Sequence, residues 1–331
     1  MNKNNEKISS FVEQRNTDKH IFTAGPASLL AENITGLRPC FGRGDEDYAK
    51  VENTVLNQLK EMTGHSQIVR MQGSASLALE IMSLNFLFGK VLIVSSGYYS
   101  DRLHWLANSA KRQIGQISQI TIIDWQELDS VNGEFDWVVS CYTETSCGLK
   151  LPIEKLKATS ERLKARLMLD ATASIGLEPR HDLADVIAYS SCKGLFGLTG
   201  AAFIAYNQKP TVEVDSFYLA MSSHIEHKMT GPYHAIASLV NILSSHQRFR
   251  EAVVENKKVF LSRMSSHLSL EEAFQPLLCT HVSCQIVSSD KRAILYEPRS
   301  NKGGSVVCHL GEAHLAEKAK AEILNDLEIK L

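Results

Sequence analysis

Two charged residues close apolar runs in the middle of the chain. Asp170 ends Leu167-Met168-Leu169, and Lys193 follows Ile187-Ala188-Tyr189-Ser190-Ser191-Cys192. A carboxylate or an ammonium at the end of a buried strand is costly unless something pairs with it. On successive strand ends the two would meet in one crevice. There they could form a plain ion pair at a sheet edge, or they could do chemistry. An amine that burial and nearby cations keep partly neutral is a nucleophile toward a carbonyl carbon.

Three other strand ends carry groups that decide between these readings. After the run 68–71 comes Gln72-Gly73-Ser74-Ala75-Ser76, opening a helix. Small residues there free backbone N–H groups and the positive helix end for an anion such as phosphate, although serine is also a common N-cap. After 91–96 comes Gly97-Tyr98-Tyr99-Ser100-Asp101-Arg102, where a tyrosine could lie against a planar ligand or simply fill the rim of the core. After 137–142 comes Thr143-Glu144-Thr145-Ser146-Cys147-Gly148, a polar turn able to hydrogen-bond a ring substituent or merely to cap the next helix. Taken as a set, an anion cradle, a stacking ring, a buried acid and a strand-end lysine are the parts needed to hold pyridoxal phosphate. The lysine amine forms an imine with its aldehyde, and the acid keeps its pyridine nitrogen protonated so that the ring accepts electrons.

These groups need a frame that brings strand ends together. From residue 67 to 206, short apolar runs (68–71, 91–96, 120–124, 137–142, 167–170, 185–191 and 201–206) alternate with segments of helical periodicity. Such alternation predicts βαβ units, a mostly parallel sheet and helices on both faces, with ligands beyond the carboxyl ends of the strands. Beyond about residue 210 the texture changes. One long helical stretch over 233–268 is expected to cross between domains. Short strands within 281–289, 292–298 and 305–311 and a terminal amphipathic helix over 314–331 follow, which reads as a small α+β domain. The expected division is a mobile or partner-bound N-terminal arm, 1–20, a large domain, 21–235, and a small domain, 236–331.

With 44% hydrophobic and 22% charged residues and a net charge of -2, the chain has no basic footprint for nucleic acid or a membrane surface. No apolar run is long enough to span a bilayer, and the polar start is not a secretory signal. The seven cysteines are scattered, odd in number and without a CxxC pair, which argues for a reducing, cytoplasmic setting. Cys279, His281, Cys284, Cys308 and His309 fit no zinc spacing, so no metal is expected.

The motifs together resemble the class V aminotransferases of pyridoxal phosphate fold type I. Within them the chain is most similar to the 2-aminoethylphosphonate–pyruvate and serine–glyoxylate groups. The matching pieces are FTAGPASL (22–29), GDEDYAKVE (44–52), QGSAS (72–76), SSGYYSDR (95–102), YTETSCG (142–148), LDATASIG (169–176), SSCKG (190–194) and MTGPYH (229–234). The resemblance implies a mostly parallel seven-stranded sheet, a small C-terminal domain and a homodimer with the site at the subunit interface. It makes Lys193 the Schiff-base residue and proton shuttle, Asp170 the pyridine-nitrogen partner and Tyr99 the stacking ring. Gly73, Ser74, Ala75 and Ser190 would contact the cofactor, Thr145 would bond near the ring oxygen, and Thr230 would reach the phosphate of the neighbouring subunit. The implied reaction is transamination from a small amine or amino acid to a 2-oxo acid. A lyase of the cysteine-desulfurase type and a cofactor-binding relative without catalysis are the alternatives. Two motifs depart: the family's C-terminal arginine, which clamps the substrate carboxylate, is replaced by Val306, leaving Arg299 and Arg43 as the expected substitutes, and Cys192 precedes the lysine where relatives often carry a polar amide that helps bind phosphate.

Overall fold

The computed structural model describes residues 3–38, 41–42, 44–300, 303–311 and 327–330. Its centre is a seven-stranded sheet built from β1 (Gln67–Gln72), β2 (Gly89–Ser95), β3 (Ile117–Asp124), β4 (Trp137–Cys141), β5 (Arg166–Asp170), β6 (Val186–Ser190) and β7 (Ala201–Tyr206). The spatial order is β1-β7-β6-β5-β4-β2-β3. Only β7 runs against its neighbours, pairing antiparallel with β1 and β6. The other pairs are parallel. Every residue of β4, β6 and β7 is buried, because helices cover both faces and parallel strands then read as unbroken apolar runs.

Six helices of ten residues or more are described: α1 (Lys3–Asn16), α2 (Glu46–Thr63), α3 (Ala75–Phe86), α4 (Tyr98–Ile114), α5 (Ile153–Arg162) and α6 (His246–Met264). Side-chain alternation along the strands splits the core into two layers. Leu92, Val94, Leu167, Leu169, Ile187 and Phe203 face one side. Ile93, Met168, Val186, Ala188 and Ile204 face the other, against α3 and α4. Asp170 and Ser190 share the parity of Met168 and Ala188, so both strands end on the α3–α4 side. The reversed β7 joins two distant rims: Ala201 pairs with Gln72 and Ala202 with Ser190. The end of β1 therefore lies within two strand spacings of the end of β6.

Three expectations need correction. The single helix over 233–268 is broken into Tyr233–Ala237, Val240–Leu243 and α6. The N-terminal arm is helical, with Val12 buried and Asn16 Nδ2 donating to Leu29 O at 2.8 Å. Of the expected terminal helix, 312–326 and 331 lie outside the described residues, and Leu327–Ile329 is a strand paired with Ile286–Ser288. A strand is the better solution there because Leu327 fills a small apolar cluster with Phe22, Phe260 and Val307. Near the start of the chain, His20–Phe22 pairs in parallel with Ala293–Leu295. Among the described residues no helix is long and apolar enough to cross a membrane.

The end of β1 is anchored to α2 by a buried ion pair. Arg70 Nε donates to Glu52 Oε1 at 2.8 Å, with both side chains 7% exposed or less. Breaking such a pair leaves an uncompensated charge, whereas replacing both partners removes the penalty. Arg70→Leu is therefore expected to cost about 3–5 kcal/mol in urea unfolding. The double variant Glu52→Leu/Arg70→Leu should recover most of that loss.

Candidate active site

The carboxyl ends of the strands surround a cavity of about 200 Å³. On the β1 side, Ser74 caps α3 in an extended conformation but makes no capping bond with its side chain. The first N–H groups of α3 therefore remain available where Ser74, Ala75 and Ser76 line the cavity, the arrangement that suits an anion. Gly73, expected as a contact, plays another part. Its N–H donates to Gly200 O at 3.0 Å, and a Cβ there would lie 2.6 Å from Leu77 Cδ2. It allows the tight turn and contributes no cavity surface.

The turn after β4 is locked to the start of α4 by one carboxylate. Glu144 is fully buried and accepts from Tyr99 N at 3.0 Å, Ser100 N at 3.1 Å and Ser146 N at 3.2 Å, and from Ser146 Oγ. Burial raises its pKa, while these donors pull it back down. The bonds set Tyr99, at the start of α4, and Thr145, in the turn, at one wall of the cavity. A side chain at Gly97 would strike Ser146 Oγ at 2.8 Å, so glycine is required for the turn and helix to approach.

Asp170, 5% exposed, closes β5. Its Oδ1 accepts from Thr172 N at 2.9 Å and its Oδ2 from Arg102 Nη2 at 3.1 Å. The ion-pair partner of the acid is thus Arg102, not Lys193. Lys193 Nζ lies 5.9 Å from the centroid of the Tyr99 ring, and among the described residues no hydrogen bond or ion pair holds it. The lysine is steered by its stem. A Cβ on Gly25 would come within 2.8 Å of Lys193 Cγ, and Ala27 N donates to Cys192 O at 2.8 Å, so the 22–29 loop lies directly on the lysine. On the other side Gly194 packs backbone to backbone, where a Cβ would sit 2.1 Å from Ile175 O, and its carbonyl accepts from His246 Nε2 at 2.7 Å.

The residues present fit pyridoxal phosphate. Thr143 Oγ1, Thr172 Oγ1 and Arg102 Nε are buried without a partner, and all three residues line the cavity. Unsatisfied polar groups facing one space suit a ligand with polar substituents around a ring. Ser190 also lines it, next to Cys192, with 3.6 Å between Oγ and Sγ.

The far end of the site is built differently from the arginine pattern. Val306 is 2% exposed, in an apolar cluster with Ala24, Leu30, Phe196 and Cys308. Arg299 instead stands exposed at the rim: its Nη1 donates to Tyr98 Oη at 3.1 Å, and Tyr98 packs edge-to-face on Tyr99 at 5.3 Å. Arg43 lies outside the described residues. Thr230 is exposed and is not among the residues lining the cavity. The sequence reading gave no role to Arg102, Glu144, Thr143 or Thr172, and took Cys192 only as a departure from the motif. Glu144, a lone carboxylate in a turn of hydroxyls directly after an apolar strand, was the visible signal.

No family model matches the chain. It is 26% identical over 252 residues to a 2-aminoethylphosphonate–pyruvate transaminase of Pseudomonas aeruginosa, covering 69% of this chain and 68% of that protein. Among solved structures it is similar to an alanine–glyoxylate aminotransferase of Nostoc sp., with a TM-score of 0.76, 16% identity and 93% of each chain covered. An aspartate aminotransferase of Thermus thermophilus gives a TM-score of 0.77 at 16% identity, covering 92% of this chain and 99% of that one. The chain has the fold of these proteins, in agreement with the fold type I expected from its motifs.

Glu144 has a titration that can be read directly. Its pKa is raised by burial, so the fold disfavours the ionised form. Stability should fall as pH rises from the unfolded carboxylate value of about 4.3 through the raised value, and level off above it. Glu144→Gln removes that slope. The difference in unfolding free energy between wild type and Glu144→Gln, measured across this window, should move in that sense.

Proposed function

We propose that this chain is a pyridoxal phosphate-dependent aminotransferase. It moves an amino group from a small amine or amino acid, 2-aminoethylphosphonate foremost, to a 2-oxo acid such as pyruvate or glyoxylate. The observation that carries the reading is the convergence of Asp170, Tyr99, an unpaired Lys193 and the open start of α3 (Ala75–Phe86) on one cavity. The similarity over two thirds of a 2-aminoethylphosphonate–pyruvate transaminase supports the choice of donor and acceptor.

When bound, the cofactor supplies an aldehyde that takes up amino groups and a ring that accepts electrons from a broken Cα bond. The residues of the chain supply the rest. Ser74, Ala75 and Ser76 hold its phosphate with N–H groups at the positive helix end. Tyr99 fixes the ring plane, Asp170 holds the ring nitrogen, and Thr145 stands beside the ring. Lys193 Nζ would hold the cofactor through its aldehyde, and as a free amine it would take the proton from the donor's Cα. Its freedom from any ion pair leaves the amine available for both tasks.

Arg299 and its Tyr98 partner receive the anionic end of the substrate, in place of the arginine that Val306 replaces. Thr230 does not line the cavity, so the reading has it act on the phosphate of a second copy, in a homodimer with shared sites. The described cysteines are free thiols, which suits a cytoplasmic setting.

Incubation with the cofactor should turn the protein yellow, and borohydride should fix the label on the peptide containing Lys193. A protein that stays colourless rules the reading out. Amino donors should bleach the colour and 2-oxo acids restore it, with Lys193→Ala slowing both steps about 10²–10⁴-fold. Arg299→Ala should raise KM for anionic substrates about tenfold or more, the scale of one charge-assisted hydrogen bond, with kcat little changed.

A further inference from the structure

Asp170 already has a cationic partner within its own chain. Arg102, in the first turns of α4 (Tyr98–Ile114), donates from Nη2 to Asp170 Oδ2 at 3.1 Å, while Oδ1 is taken by Thr172 N at 2.9 Å. Its Cζ lies 4.9 Å from the centroid of the Tyr99 ring. Nη1 reaches Ser76 Oγ at 3.3 Å, and Nε is buried without a partner. A guanidinium is a planar cation that stacks on an aromatic face and donates to a carboxylate. A protonated pyridine ring is a planar cation with the same two requirements. Asp170, Tyr99 and Arg102 line one cavity, and both oxygens of Asp170 are engaged. Each oxygen has one donor and an acceptor site to spare, so a ring nitrogen would join Arg102 on one carboxylate, and two cations would share it.

We propose that Arg102 is a positioning residue that competes with the cofactor ring for Asp170 and Tyr99. The proposal rests on the cofactor reading above. The arginine keeps a carboxylate that is 5% exposed from standing alone, a state that would be costly, and holds it against the tyrosine in the geometry the ring needs. The hold of Asp170 on the ring nitrogen is then weakened by the second cation on the same carboxylate. The ring is bound less tightly, and its nitrogen is protonated less completely, than an unshared carboxylate would achieve.

The test is titration of pyridoxal phosphate into protein stripped of cofactor, followed by absorbance, for wild type, Arg102→Gln and Arg102→Lys. Competition predicts binding about tenfold tighter for Arg102→Gln, the scale of one charge-assisted hydrogen bond. Arg102→Lys should tighten binding too, because an ammonium keeps the charge but loses the planar fork; it also serves if the glutamine variant does not fold. In an Asp170→Asn background the Arg102→Gln effect should vanish. With ¹⁵N-labelled cofactor, the ring-nitrogen resonance of Arg102→Gln should move toward the protonated form. Unchanged or weaker binding by both variants overturns the proposal. So does weaker binding by Arg102→Gln with Arg102→Lys matching wild type, since Arg102 would then act as a general attractor of the phosphate. Failure of wild type itself to bind overturns the cofactor reading instead, so the two failures are distinguishable.

Discussion

Glu144 has no access to water, and donors from two separate turns satisfy it. Two come from the start of α4 (Tyr98–Ile114) and two from Ser146, in its own turn. A buried carboxylate left with fewer donors would be heavily penalised, so the turn after β4 (Trp137–Cys141) and the start of α4 cannot separate cheaply. The relative placement of Tyr99 and Thr145 follows from that constraint. The wall of the cavity that faces a planar ligand is thus set by a residue that does not line it.

The opposite wall rests on steric closeness. Gly25 lies on the stem of Lys193, and Gly194 meets the backbone at Ile175. A lysine has four rotatable side-chain bonds and a strongly hydrated head, so its orientation needs such confinement when no ion pair directs it. Pairing of Asp170 with Arg102 is what leaves the lysine without one. Structural charge balance and chemical availability are therefore handled by two different cations, one paired and one free.

Most of the elements around the site could be read directly from the residues. The runs 68–71, 91–96, 137–142, 167–170 and 201–206 are strands within a residue or two of their expected ends, and α4 begins at Tyr98. Each is a short apolar block bounded by glycine or polar residues, and in such blocks local pattern and tertiary role agree. The helix over 233–268 and the terminal stretch were misread because periodicity there is genuine but incomplete. Breaks near Ser238, Ser244 and Ser245 and the pairing of Leu327 with Ser288 depend on which faces are already covered. The sequence shows valine at 306, and its burial among apolar neighbours is a packing outcome.

The sequence by itself determined the inventory of chemistry: an acid and a lysine ending neighbouring strands, an aromatic and a small-residue turn opening two helices, and the absence of arginine at 306. Side-chain type and strand period suffice for that, because both are local. Only the tertiary structure decided who pairs with whom. The reversal of β7 (Ala201–Tyr206) brings the ends of β1 and β6 to one rim, Gly73 lies so close to Leu77 that no Cβ fits, and Arg102 rather than Lys193 takes the acid. Those choices depend on distances between residues far apart in the chain, and short-range pattern carries no record of such distances.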